Sequence, residues 1–137
     1  MKPHLLILIA FLLAPTPPTH AHDVDRLLDA IRRVETGHHP RQGDGARGDW
    51  GHARGPFQIH YSYWRDSGLP GHYEDCDHLA YSRRVVLAYW RRYCPTALKL
   101  RDAQTLARIH NGGPSGPHSP STMQYWLRVQ KALKNPA

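Results

Sequence analysis

The sequence predicts a mainly α (α+β) domain with several helices and a small β-hairpin or loop segment near residues 44–61. Three observations carry that prediction. Apolar residues recur at helical spacing from Val24 to Val34, across Leu79 to Tyr93, within Asp102 to His110, and again after Ser121. The stretch 37–56 holds Gly37, Gly43, Gly45, Gly48, Gly51 and Gly55, which reads as loop or short hairpin. The alternating segment Phe57-Gln58-Ile59-His60-Tyr61 reads as a short strand or a tight turn into a helix.

The first residues read as an export signal. Lys2 supplies a positive n-region, Leu5 to Ala14 is an apolar run, and Pro15 to Thr19 breaks it. The run is about ten residues, too short to span a bilayer of roughly 30 Å as a helix. Thr19-His20-Ala21 offers small residues for cleavage, so residues 1–21 are expected to be a signal peptide and residues 22–137 a single folded domain. The expected destination is secreted or periplasmic. No internal repeat is visible.

Each element follows from local chemistry. Asp23 is placed to cap the first helix, whose stripe is Val24, Leu27, Leu28, Ile31 and Val34. Arg32 and Arg33 favour its C-terminal dipole, and Thr36-Gly37 followed by Pro40 ends it. Glu35 is then its last or nearly last residue, beside the apolar stripe. Tyr61 to Trp64 is aromatic-rich, and Gly68-Leu69-Pro70-Gly71 is a turn. Leu79 to Tyr93 is the longest helix, ended by Cys94-Pro95. Asp102 to His110 is the next, stopped by Asn111-Gly112-Gly113-Pro114. Ser121 is expected to cap the last helix, with Tyr125, Trp126 and Val129 inward and Lys134 to Ala137 frayed.

The formal charge of +7 suits polyanions such as bacterial wall, nucleic acid or an anionic membrane, and equally serves solubility. The only two cysteines, Cys76 and Cys94, are expected to pair, as an even count in an exported chain favours a disulfide worth roughly 3 kcal/mol. Neither has Cys-x-x-Cys or His-x-x-x-His company. His38, His39, His52 and His60 lack helical ligand spacing, so no metal and no cofactor are expected.

Glu35 and Asp49 bracket the Gly-, His- and Arg-rich loop. Glycoside cleavage needs one acid beside the leaving oxygen and a second carboxylate to meet positive charge on the sugar. An acid in an apolar setting and one in a polar setting can divide those tasks. Glu35 neighbours Ile31 and Val34, whereas Asp49 sits among Gly and Arg residues. Each has a plainer reading: Glu35 as a helix-end partner of Arg32 or Arg41, Asp49 as a turn residue.

Several segments then decide in favour of chemistry. Val34-Glu35-Thr36-Gly37, Asp49-Trp50-Gly51, Gly55-Pro56-Phe57-Gln58-Ile59 and Tyr63-Trp64-Arg65-Asp66 resemble, in order, the motifs of the invertebrate-type lysozymes, the destabilase family. Tyr73-x-x-Cys76, Ala107-Arg108-Ile109-His110-Asn111-Gly112-Gly113-Pro114-Ser115-Gly116 and Thr122-Met123-Gln124-Tyr125-Trp126 continue the match, which runs from about residue 27 to 133. The resemblance implies a lysozyme-like fold and a secreted muramidase that hydrolyses the β-1,4 bond between N-acetylmuramic acid and N-acetylglucosamine. It places the general acid at Glu35 and the second carboxylate at Asp49, with Asp44 the competing choice. It makes Gln58, Tyr63, Trp64, His110 and Asn111 candidates for lining the sugar cleft. It implies peptidoglycan as substrate and proteinaceous lysozyme inhibitors as partners, with no nucleic acid and no stable membrane insertion. The rival readings are a lytic transglycosylase using Glu35 alone and a non-catalytic cationic wall-binding protein. This chain departs from the family in its cysteines: positions that are often Cys are here Ile31, Arg33 and His38. The isopeptidase activity credited to some members finds no recognisable Ser or Lys match and is not carried over.

Overall fold

Helix α1 spans Thr19–Thr36 and buries Leu27, Leu28 and Ile31 of the expected stripe, with Ala30 beside them, while Val24 and Val34 are half-buried. In the computed structural model, which describes residues 19–136, the helix begins ahead of Asp23. Asp23 therefore lies inside α1 and is not its cap; no Gly or Pro between Thr19 and Asp23 stops the helix from extending backward. The expected export signal falls outside the described residues except for Thr19 to Ala21, which are helical. At the other end, the buried Thr36 hydroxyl lies within hydrogen-bonding distance of the Arg32 carbonyl (3.2 Å) and the Pro56 carbonyl (3.0 Å). That contact ties the helix end bearing Glu35 to the Gly55-Pro56 turn.

A three-stranded antiparallel sheet follows, in the order β1 (Arg47–Gly48), β2 (Ala53–Arg54) and β3 (Ile59–His60). Arg47 pairs with Arg54 and Gly48 with Ala53; Ala53 pairs with His60 and Arg54 with Ile59. The sheet lies within the segment expected to hold the hairpin. Strands of two residues cannot persist on their own ladders, and side chains hold them. Asp77 accepts both guanidinium nitrogens of Arg47 at 2.5 and 2.7 Å, and Arg54 reaches Glu74 at 3.2 Å and Asp77 at 3.5 Å. The Tyr73 hydroxyl lies 2.8 Å from both the His52 and Ile59 carbonyls. Gly55 permits the closest approach: at φ +68°, a Cβ there would stand 1.8 Å from the Cys76 carbonyl oxygen.

The remaining helices are α2 (Tyr61–Ser67), α3 (Leu79–Tyr93), α4 (Pro95–Leu100), α5 (Ala103–Gly112) and α6 (Ser121–Lys134). Leu28, Phe57, Val86, Trp90, Leu106 and Val129 meet in one core beneath them. Two helix ends are tied over long range. Asp44 Oδ1 accepts the Leu79 amide at the start of α3 (2.9 Å), and Arg33 donates to the Ala132 and Asn135 carbonyls at the end of α6 (2.8 and 2.7 Å). Asp102, expected as the first residue of this helix, instead caps α5, accepting the Thr105 amide at 3.1 Å. Ser121 opens α6 but makes no cap bond; its hydroxyl pairs with Ser119 instead. Helix α4 is an element the sequence reading lacks. Pro95 ends α3 and, with φ already set for a helix, starts the next.

The expected disulfide is not formed. Cys76 and Cys94 are both buried free thiols. They stand before the start and just past the end of α3, a helix of 15 residues, which is roughly 22 Å long at about 1.5 Å per residue. A disulfide requires Cα atoms within about 7 Å. Burial pushes the Cys76 thiol up to about 12 and the Cys94 thiol up to about 11, so both behave as small apolar side chains. Among the described residues, no helix is long and apolar enough to cross a membrane.

Candidate active site

The end of α1, the sheet, α2 and α5 enclose a cleft of about 470 Å³. Glu35, Asp49, Gln58, Tyr63, His110 and Asn111, six of the seven expected site residues, line it. The seventh, Trp64, does not. Its indole N–H donates to the Tyr81 hydroxyl at 2.9 Å, and its ring packs beside Tyr61 and Tyr73. Trp64 thus braces α2 and leaves the cleft to Tyr63, the next residue around the helix.

Glu35 is delivered by the last turn of α1, and its side chain is 20% exposed. Its Oε1 accepts a hydrogen bond from the Tyr125 hydroxyl at 2.7 Å. Burial and the neighbouring Glu35 carboxylate hold the Tyr125 phenol well above its ordinary range, so it remains a donor at neutral pH. His110 approaches from α5, with Nε2 3.7 Å from Glu35 Oε1 and Nδ1 3.2 Å from the Tyr63 hydroxyl. Tyr63 is pushed up by burial and stacks on Tyr89 with ring centroids 3.7 Å apart. The arrangement fits a Tyr63 proton donated to Nδ1, which leaves Nε2 carrying the hydrogen that faces Glu35. Three helices therefore converge on one carboxylate.

Asp49 is presented differently. It sits on the turn between β1 and β2 with its side chain 58% exposed, and its Oδ2 lies 3.5 Å from His60 Nε2. Asp49, Trp50 and Gly51 run at φ +46°, +55° and +92°, three left-handed residues in succession. Behind the turn, Gln58 donates to the Gly55 carbonyl at 2.9 Å and folds over Gly48, where a Cβ would come 2.0 Å from Gln58 Oε1. The competing carboxylate, Asp44, is occupied with the Leu79 amide and does not line the cleft.

Sequence reasoning missed Tyr125, Tyr89, His60 and Asp66 at this site. Tyr125 is ninety positions from Glu35, and its place in the stripe of α6 marks it only as a core residue. His60 carried one usable signal, its position directly after the Phe57-Gln58-Ile59 segment.

Comparison with known proteins places this geometry among relatives. The family described as Destabilase matches residues 28–132. Lysozyme 1 of Crassostrea virginica is 45% identical over 78 residues, which cover 56% of this chain and 42% of that protein. The chain spans about half the length of the curated relatives it matches. The crystal structure of Tapes japonica lysozyme superposes with a TM-score of 0.63 at 34% identity, covering 77% of this chain and 87% of that one. The structure of Aeromonas hydrophila PliI in complex with Meretrix lusoria lysozyme matches with a TM-score of 0.62 at 34% identity over the same shares.

Proposed function

The chain belongs to the destabilase family of invertebrate-type lysozymes, and from that premise we propose that it is an exported muramidase cleaving the β-1,4 bond between N-acetylmuramic acid and N-acetylglucosamine in peptidoglycan. The observation that carries the reading is the pair of unlike carboxylates facing one cleft, Glu35 at 20% and Asp49 at 58% side-chain exposure. Glu35 donates its proton to the glycosidic oxygen. Asp49 meets the oxocarbenium-like sugar, as an electrostatic partner or as a nucleophile at the anomeric carbon. Water then completes hydrolysis with Glu35 as base.

The surrounding groups support these roles. The Tyr125 hydroxyl fixes the rotamer of Glu35, and His110 stands ready to meet its charge after proton transfer. Gln58 and Asn111 offer amide groups to sugar hydroxyls and N-acetyl groups. The net charge of +7 steers the protein to an anionic wall, so activity falls as salt rises. An open cleft between helices and a hairpin also suits a proteinaceous inhibitor, as in the complex of PliI with Meretrix lusoria lysozyme.

The test is clearing of purified peptidoglycan by wild type, Glu35→Gln and Asp49→Asn, with mass analysis of the fragments. The reading expects new reducing ends from wild type and wall binding without turnover from Glu35→Gln. Fragments with 1,6-anhydro ends would assign transglycosylase chemistry instead. Bacterial killing that survives Glu35→Gln would assign a non-catalytic cationic protein.

A further inference from the structure

Trp50 follows Asp49 in the β1–β2 turn and is 99% exposed. An indole carries more apolar surface than any other side chain, and leaving it in water forgoes the gain from burial. Its backbone adds to the anomaly, because a bulky residue at φ +55° is uncommon and strained. The turn is nevertheless held at both sides. His52 N–H donates to the Asp49 carbonyl at 3.0 Å, and the Tyr73 hydroxyl reaches the His52 carbonyl.

A second exposed aromatic directly follows another residue of the cleft wall. Tyr61 is 55% exposed and follows His60, as Trp50 follows Asp49. Asp49 and His60 touch at 3.5 Å and both line the cleft, so the two aromatics begin one residue beyond the same point of its wall. The other large apolar residues that are exposed among the described residues, Leu100 and Leu127, lie on α4 and α6, away from this rim.

We propose that Trp50 forms an aromatic ledge that stacks on the apolar face of a sugar ring where a glycan strand runs out of the cleft past Asp49 and His60. A pyranose ring presents C–H groups on its faces and hydroxyls at its edge. An indole covers the face while water keeps the edge, which requires no buried polar partner. The ledge is an extension of the substrate site and rests on the muramidase reading. It makes the protein a better ligand for long strands than for short ones.

The experiment uses the full protein carrying Glu35→Gln, so that glycan binds without being cut. Of the four tryptophans, Trp50 is the fully exposed one, so iodide quenching of fluorescence reports mainly on it. A long soluble glycan should shield the indole and shift its emission to the blue; a disaccharide should do so far less. Adding Trp50→Asn, which tolerates the left-handed backbone, should weaken long-strand binding roughly tenfold and narrow the gap between long and short ligands. Trp50→Tyr should recover most of it. Unchanged iodide quenching at saturating long glycan, or equal long-strand affinity for Trp50→Asn, overturns the ledge. So does a blue shift with phosphatidylglycerol vesicles but none with glycan, which would assign a membrane contact. Wild-type release of reducing ends in the same series shows that only the ledge has failed. No glycan binding and no cleavage by any form removes the muramidase reading and the ledge together.

Discussion

The two carboxylates of the cleft are held by regions built on opposite principles. Glu35 stands where α1, α5 and α6 converge, its oxygen fixed by Tyr125 and faced by the buried His110. Asp49 stands on a hairpin whose strands are two residues long, fixed by Arg47, Arg54, Tyr73 and Asp77 at its base. The first region is part of the core, so its geometry lasts as long as the fold does. The second is a small assembly of polar contacts that can open locally while the helices stay packed. The difference places Glu35 in a fixed, largely dry position and Asp49 at the wet edge of the cleft.

That contrast can be broken or sharpened, and the largest effect should come from Glu35 itself. Glu35→Gln is expected to lower turnover by a factor on the order of 10²–10⁴, the usual worth of a positioned general acid, with wall binding kept. Asp49→Asn should cost less, on the order of 10²–10³ as for loss of one electrostatic partner; a fully active Asp49→Asn would remove the second carboxylate from the mechanism. Both are read by steady-state release of reducing ends.

Tyr125→Phe removes the donor to Glu35 and little volume. A fall of about tenfold in kcat is expected, with about 1 kcal/mol lost from thermal unfolding and a displaced alkaline limb of the pH–rate profile, the limb on which a general acid loses its proton. An unmoved profile would reduce Tyr125 to packing. Asp77→Asn tests the other region. It should speed amide hydrogen exchange in residues 46–60 and raise KM, while global stability falls by about 1 kcal/mol or less, since the Arg47 pair is partly exposed. Equal loss of protection in α1 and α5 would show that hairpin and helices form one cooperative unit.

The smallest effect at neutral pH becomes visible only in alkali. Burial raises the Cys76 and Cys94 thiols from 9.0 to about 12 and about 11, and raises Tyr63 and Tyr125 above 10.0. The folded state then keeps protons that the unfolded chain releases, so the stabilisation is complete below pH 9 and is lost as pH rises toward 12. Melting temperature should fall across that window. Serine at positions 76 and 94 should flatten the early part of the fall.

Much of this was readable before any coordinates. The stripe from Val24 to Val34, the stop at Asn111-Gly112-Gly113-Pro114 and the glycine-rich hairpin all act through neighbours within a few positions, and so does the placing of Glu35 at a helix end. The failures share the opposite property. Asp23 and α4 depended on whether a break stops a helix or starts one. Trp64 and Asp44 were assigned by motif and by proximity in sequence, yet Tyr81 and the Leu79 amide, partners far along the chain, decide what they do. The disulfide failed because Cys76 and Cys94 flank opposite ends of the rigid helix α3.

By itself, the order of residues determined the longer helices, the hairpin and the family, because periodicity and turn chemistry are local and the motifs recur in fixed order. Only the tertiary structure decided that Tyr125 and His110 meet Glu35, that Tyr63 and not Trp64 enters the cleft, and that Trp50 stands free at its rim. Those facts depend on which side chains the packed helices leave facing the same space, and no short-range pattern encodes that.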